Sequence, residues 1–113
     1  GVDERTDIYS LGCLLVFLLT GRPPYVGDTA MDTLLQHTSP EPIDLKSCFR
    51  QLSIPPSLTD LIESMLEKKV ERRPASMLQV RDELIRIREQ ATKAHEPGRR
   101  TQSLKTIGFT IAA

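Results

Sequence analysis

The run Asp7–Leu19, DIYSLGCLLVFLL, has Ser10 as its only polar residue after the leading aspartate. A helix that is apolar on every side has no face to give to water, so this stretch predicts a pillar buried all round, against which the rest of the chain packs. Thirteen residues rise roughly 20 Å at ~1.5 Å each, short of the ~20 apolar residues that a bilayer crossing needs. Thr6 is the expected N-cap. Asp7 then lies in the first turn, where free backbone N–H groups and the positive dipole end favour a carboxylate, and read from this stretch alone it is a second capping group. Gly21 is the expected stop.

The chain has 113 residues, 39% of them hydrophobic and 27% charged, which suits one soluble domain with a modest core. Fifteen basic residues balance fifteen acidic ones. That balance removes any global attraction to nucleic acid or an anionic membrane. Cys13 lies in the oily run and Cys48 far from it, with no C-x-x-C pair, so both read as thiols of a reducing, cytoplasmic compartment and not as a disulfide or metal site. His37 and His95 have no partner at ligand spacing and read as surface residues.

After Gly21, the segment Arg22–Asp28 (RPPYVGD) turns the chain. Asp28 is the expected cap of a short helix over Thr29–His37, whose apolar stripe is Met31, Leu34 and Leu35. That stripe either covers the core or is offered to a partner. Thr38–Pro56 reads as loop with a turn of helix around Lys46–Gln51. Ser57 and Asp60 form an S-x-x-D start to a helix over Leu58–Glu67, with Leu58, Leu61, Ile62, Met65 and Leu66 on its buried face. Ser76 and Gln79 open a last helix over Met77–Gln90, with a stripe of Leu78, Val80, Leu84, Ile85 and Ile87. Arg81, Arg86 and Arg88 alternate with Asp82, Glu83 and Glu89, a mixture that suits a solvated face and argues against a nucleic-acid recognition helix. From Ala91 to Ala113 no helical period remains. Lys93, Arg99, Arg100 and Lys105 stand against Glu96 there, which predicts a disordered, mildly basic tail. Within it, RRTQS at Arg99–Ser103 has the form of a phosphoacceptor site.

Two stretches resemble the protein kinases, and the bacterial serine/threonine kinases most of all. DIYSLG followed by LLTGRPPY is similar to that family's F-helix and the turn after it, and LIESMLEKKVERRPAS to the passage between its H- and I-helices. The resemblance implies an all-α fold, the helical F- to I-helix portion of the kinase C-lobe, over residues 1–90, with 91–113 as the tail. By resemblance, Asp7 accepts hydrogen bonds from the backbone of the catalytic loop and Gly12 is the motif's small residue, while Tyr9 stands where many members carry Trp. Met31, Leu34 and Leu35 would lie on the G-helix, a docking surface in many members. Arg73 would form a buried ion pair with the Glu that ends the activation segment, a partner that would sit upstream of Gly1. If so, these residues alone leave a buried guanidinium uncompensated and should be only marginally stable.

The sequence contains no Gly-rich loop, no Val-Ala-Ile-Lys strand, no His-Arg-Asp loop and no Asp-Phe-Gly. The expectation is therefore a catalytically inactive piece, without cofactor or metal, of a kinase whose whole chain uses ATP and Mg2+ to phosphorylate Ser and Thr hydroxyls of protein substrates in the cytoplasm. No nucleic acid and no membrane segment enter that expectation. The alternative is a non-catalytic helical interaction module derived from a kinase.

Overall fold

The computed structural model describes residues 4–94, and its first helix, α1, is Glu4–Thr20. Helix formation starts ahead of the expected cap, so Thr6 is an interior residue whose carbonyl accepts a hydrogen bond from Ser10 Oγ at 3.3 Å. Glu4 and Asp7 both lie in the first turn. Gly21 ends the helix at φ 78°, the left-handed region open to glycine, and its N–H returns to the Phe17 carbonyl at 2.7 Å.

Burial of α1 on all sides is not what the fold delivers. Ile8, Gly12 and Val16, spaced by four, are buried, whereas Leu14, Phe17 and Leu18 remain 49%, 46% and 53% exposed. Both core clusters lie along one side of α1, and they leave Leu14, Phe17 and Leu18 outside the core.

That one side is tightly made. Helix α4, Pro56–Met65, begins two residues earlier than the S-x-x-D pattern suggests. Pro56 takes the first helical position, where a missing N–H costs nothing, and Pro55 replaces Ser57 as the N-cap residue, with no side-chain capping bond. Leu61, Ile62 and Met65 are buried, as is Leu66 at the C-cap. Where α1 passes α4, a Cβ on Gly12 would lie 3.0 Å from Leu66 Cδ2 and 3.1 Å from Met65 Cβ. The absent side chain is what lets the two backbones approach.

Two apolar clusters share this contact. One joins Ile8 of α1, Leu61 and Met65 of α4, and Val80 and Ile87 of the last described helix. The other joins Val16, Ile62 and Leu66 to Leu45 and Phe49. Those last two belong to the segment read from the sequence as loop with a turn of helix around Lys46–Gln51, and that turn forms one residue earlier than expected. A one-turn helix, α3, Leu45–Cys48, is capped by Asp44, which accepts the Ser47 N–H at 3.2 Å, and it turns Leu45 and Phe49 to the same side.

Helix α5 is Met77–Ala94. Its start follows the predicted cap: Ser76 Oγ accepts the Gln79 N–H at 3.2 Å and Gln79 Oε1 accepts the Ala75 N–H at 3.0 Å. Its end lies four residues past Gln90, so 91–94 are helical where tail was expected. Met77, Val80, Leu84 and Ile87 form the inward stripe, spaced three and four apart, while Leu78 and Ile85 face outward. Exposed ion pairs join Arg81 to Asp82 and Arg86 to Glu83. The RRTQS segment and the rest of 95–113 lie outside the described residues.

Between α1 and α3 lies α2, Ala30–Thr38. Its N-cap is Thr29, one residue past the expected Asp28, and Thr29 Oγ1 accepts the Asp32 N–H at 3.1 Å. The Gly27 N–H donates to Thr33 Oγ1 at 2.8 Å, and a Cβ on Gly27 would lie only 2.5 Å from Asp32 Cβ and 2.7 Å from Thr33 N, so no other residue fits there without displacing the start of α2. Among the described residues the fold is all-helical, apart from loops and a 3-10 turn at Val70–Arg72, and no helix is long and apolar enough to cross a membrane.

Candidate functional site

The two distinctive stretches of the sequence meet at Arg73. The 3-10 turn delivers this side chain back across the N-terminal part of α1. Nε donates to the Glu67 carbonyl at 2.7 Å, and Nη1 donates to the Arg5 carbonyl, 68 residues away in sequence, at 3.2 Å. The guanidinium carbon stands 4.6 Å from the centre of the Tyr9 ring, within cation–π range. Arg73 is thus half-buried but not uncompensated, and the marginal stability expected from a naked buried charge does not follow. Two of its five N–H donors are committed to carbonyls, and the guanidinium fork retains donors for a carboxylate.

Asp7 is exposed in the first turn of α1, two residues from Tyr9. Gly12 is buried one turn further on, against α4. Asp7, Gly12 and Arg73 therefore all lie on or against the first half of α1.

The sequence did not point to the second feature, a polar junction beneath α2. Tyr9 Oη and His37 Nδ1 are 2.7 Å apart, and the Tyr25 ring meets the His37 ring edge-on with centroids 4.8 Å apart. Lys68 Nζ lies 4.3 Å from the centre of the Tyr25 ring and donates to the carbonyls of Gln36 at 2.6 Å and His37 at 3.0 Å. Burial raises the Tyr9 phenol well above the usual tyrosine range, with Cys13 and Tyr25 adding to the effect and Arg73 opposing it. Burial likewise raises Tyr25 and Cys13 and lowers Lys68. His37 is lowered by burial and then by the Lys68 charge. Tyr9 therefore stays a neutral phenol at physiological pH. Far from being an incidental surface residue, His37 is half-buried at the centre of this junction.

The stripe on α2 does not cover the core. Met31, Leu34 and Leu35 are 62%, 55% and 58% exposed, and no residue of α2 is buried. Cys13 and Cys48 are free thiols, the first half-buried and the second exposed. Among the described residues no group of three or more His, Cys, Asp or Glu is arranged to hold a metal ion. The sequence has none of the family's loops that cradle phosphate or ligate magnesium.

Residues 1–85 match the protein kinase domain family, and the chain belongs to it. The chain is 35% identical over 88 residues to the serine/threonine-protein kinase PknB of Mycolicibacterium smegmatis, an alignment covering 78% of the chain and 14% of that kinase. It is 32% identical over 114 residues to the serine/threonine-protein kinase PksC of Streptomyces coelicolor, covering 98% and 20%. To the DNA damage-responsive serine/threonine-protein kinase RqkA of Deinococcus radiodurans it is 37% identical over 79 residues, covering 67% and 11%. The chain is thus a bacterial-type serine/threonine kinase portion that spans no more than 20% of the length of these relatives. The family match and the all-helical fold agree with the F- to I-helix part of the C-lobe, and they do not favour a module unrelated to catalysis.

Proposed function

We propose that these residues are the helical floor of a serine/threonine protein kinase whose whole chain transfers the ATP γ-phosphoryl group to Ser and Thr hydroxyls of protein substrates in the cytoplasm. The observation that carries this reading is the convergence at Arg73. The residue that the RRPAS motif assigns to the activation segment binds the backbone of α1 beside the Asp7 motif, through the Arg5 carbonyl and the Tyr9 ring. A floor of this kind works by holding other groups still. Asp7 offers a carboxylate to the backbone N–H groups of the catalytic loop. Arg73 offers its remaining donors to the Glu that closes the activation segment. Gly12 keeps α1 seated on α4 so that both face the same way, and Met31, Leu34 and Leu35 present α2 to protein substrates. ATP and Mg2+ are held by parts of the kinase other than these residues. We take the kinase portion to close with α5 at Ala94 instead of Gln90, with the tail as a separate region.

Steady-state kinetics on the whole kinase test the role of Asp7. Asp7→Ala is expected to lower kcat by about 100-fold or more while KM for ATP stays within about twofold, because the carboxylate orients the loop and does not touch nucleotide. Unchanged turnover would return Asp7 to the role of a helix cap.

A further inference from the structure

The C-terminal end of α2 has a hydrogen-bonding deficit that originates in its own sequence. The last carbonyls of a helix lack intrahelical donors and must find partners elsewhere. In α2 the Leu35 carbonyl is taken by the Ser39 N–H at 2.9 Å and by Thr38 Oγ1 at 3.2 Å. The residue four beyond Gln36 is Pro40, which has no N–H to give. The residue four beyond His37 is Glu41, whose N–H is turned to Ser39 Oγ at 3.3 Å. Two adjacent carbonyls, Gln36 and His37, are therefore left at the negative end of the helix dipole.

Lys68 meets both of them. It stands in the loop after α4, 32 and 31 residues along the chain, and its ammonium donates to the two carbonyls while the Tyr25 ring lies beside it. An ammonium suits this place because it has three donors to divide among acceptors and a positive charge to set against the dipole, and the ring face adds a third attraction. Since no side chain of α2 is fully buried, this cap replaces the apolar contact that would ordinarily hold a helix to its domain. The neighbouring Lys69 is exposed.

We propose that Lys68 is a positioning residue. From the loop after α4 it caps α2 and fixes where that helix presents Met31, Leu34 and Leu35 to a protein substrate. The substrate part of this inference rests on the kinase reading above, whereas the capping part does not. Lys68→Met keeps the apolar stem and removes the donors and the charge. In the whole kinase it is expected to speed amide hydrogen exchange over 30–38 by about tenfold and leave exchange over 56–65 unchanged, since local opening reports the anchoring of each helix separately. KM for a folded protein substrate should rise about three- to tenfold, with kcat and the KM of a short peptide unchanged, because only a docked substrate uses α2. Lys68→Arg, which retains charge and donors, should recover most of both effects.

Wild-type exchange over 30–38 in Lys68→Met overturns the capping role. Faster exchange with an unchanged protein-substrate KM overturns the link to substrate. A whole wild-type protein without phosphotransfer activity overturns the kinase reading, while the exchange comparison still decides the cap. If Lys68→Met does not fold, reductive methylation of the wild-type protein decides it: Lys68 should react more slowly than Lys46 and Lys69, and equal reactivity overturns the cap.

Discussion

Helices α4 and α2 are of similar length, yet they are held by opposite means. Helix α4 buries Leu61, Ile62 and Met65 in two apolar clusters, whereas α2 has no fully buried side chain and is tied by Lys68, by the Tyr9 to His37 contact and by the fold-back of Gly27. An apolar seat is non-directional and scales with area, so it fixes a helix firmly and tolerates small shifts. A polar seat depends on a few directed bonds and on charge. It anchors a helix without consuming its apolar face, which is why α2 can be both attached and open to a partner.

The largest expected effect lies on the apolar side of this contrast. Ile62 is fully buried between α1 and α3, and Ile62→Ala is expected to cost ~2–5 kcal/mol through lost transfer energy plus a cavity, read from the shift in the urea midpoint. A loss below about 0.5 kcal/mol would mean that α4 is not held by burial.

Next comes the close approach at Gly12. A methyl group there presses on Leu66 Cδ2, which can give, and on Met65 Cβ, which cannot do so without moving α4. Gly12→Val adds two further carbons to that contact and is expected to cost ~1–3 kcal/mol, with a lower melting temperature. A neutral outcome would show that the two helices are free to separate.

The polar seat should reveal itself through pH. Because the folded-state pKa of His37 is lowered, the unfolded chain takes up a proton first as pH falls through the ordinary imidazole value of ~6.5. Stability contributed by the neutral ring is thus fully present above that pH, declines as pH drops through it and levels off below the folded pKa. Urea midpoints measured between pH 8 and pH 5 should fall less in His37→Gln than in the wild type. Identical slopes would remove His37 from the seat.

The smallest effect is expected on the open face of α2. Leu34→Ser, at a position 55% exposed, should change stability by less than about 0.5 kcal/mol in a denaturant titration. A larger loss would mean that the stripe is covered after all, and the two seats would then be alike.

Much of this architecture was legible without coordinates. The 3.6-residue period fixed the buried faces of α4 and most of α5, the Ser76 and Gln79 pattern located the start of α5, and Gly21 marked the end of α1. These signals are local, set by side chains three or four residues apart and by backbone groups at helix ends. The kinase motifs drew attention to Asp7, Gly12 and Arg73, but not to what Arg73 grips. Other features depended on neighbours brought from elsewhere in the chain. The oily run around Leu14, Phe17 and Leu18 looked buried on all sides because composition reports affinity for a core and not whether helices are present to supply one. A turn of helix around Lys46–Gln51 was legible, but not that it buries Leu45 and Phe49, because one turn is too short to show an apolar period. Nothing local in the sequence distinguishes Lys68 from Lys69. Pro40 leaves the Gln36 carbonyl without a local donor, and which residue answers was decided only when the chain folded, because a carbonyl accepts from whichever donor the tertiary structure brings within about 3 Å.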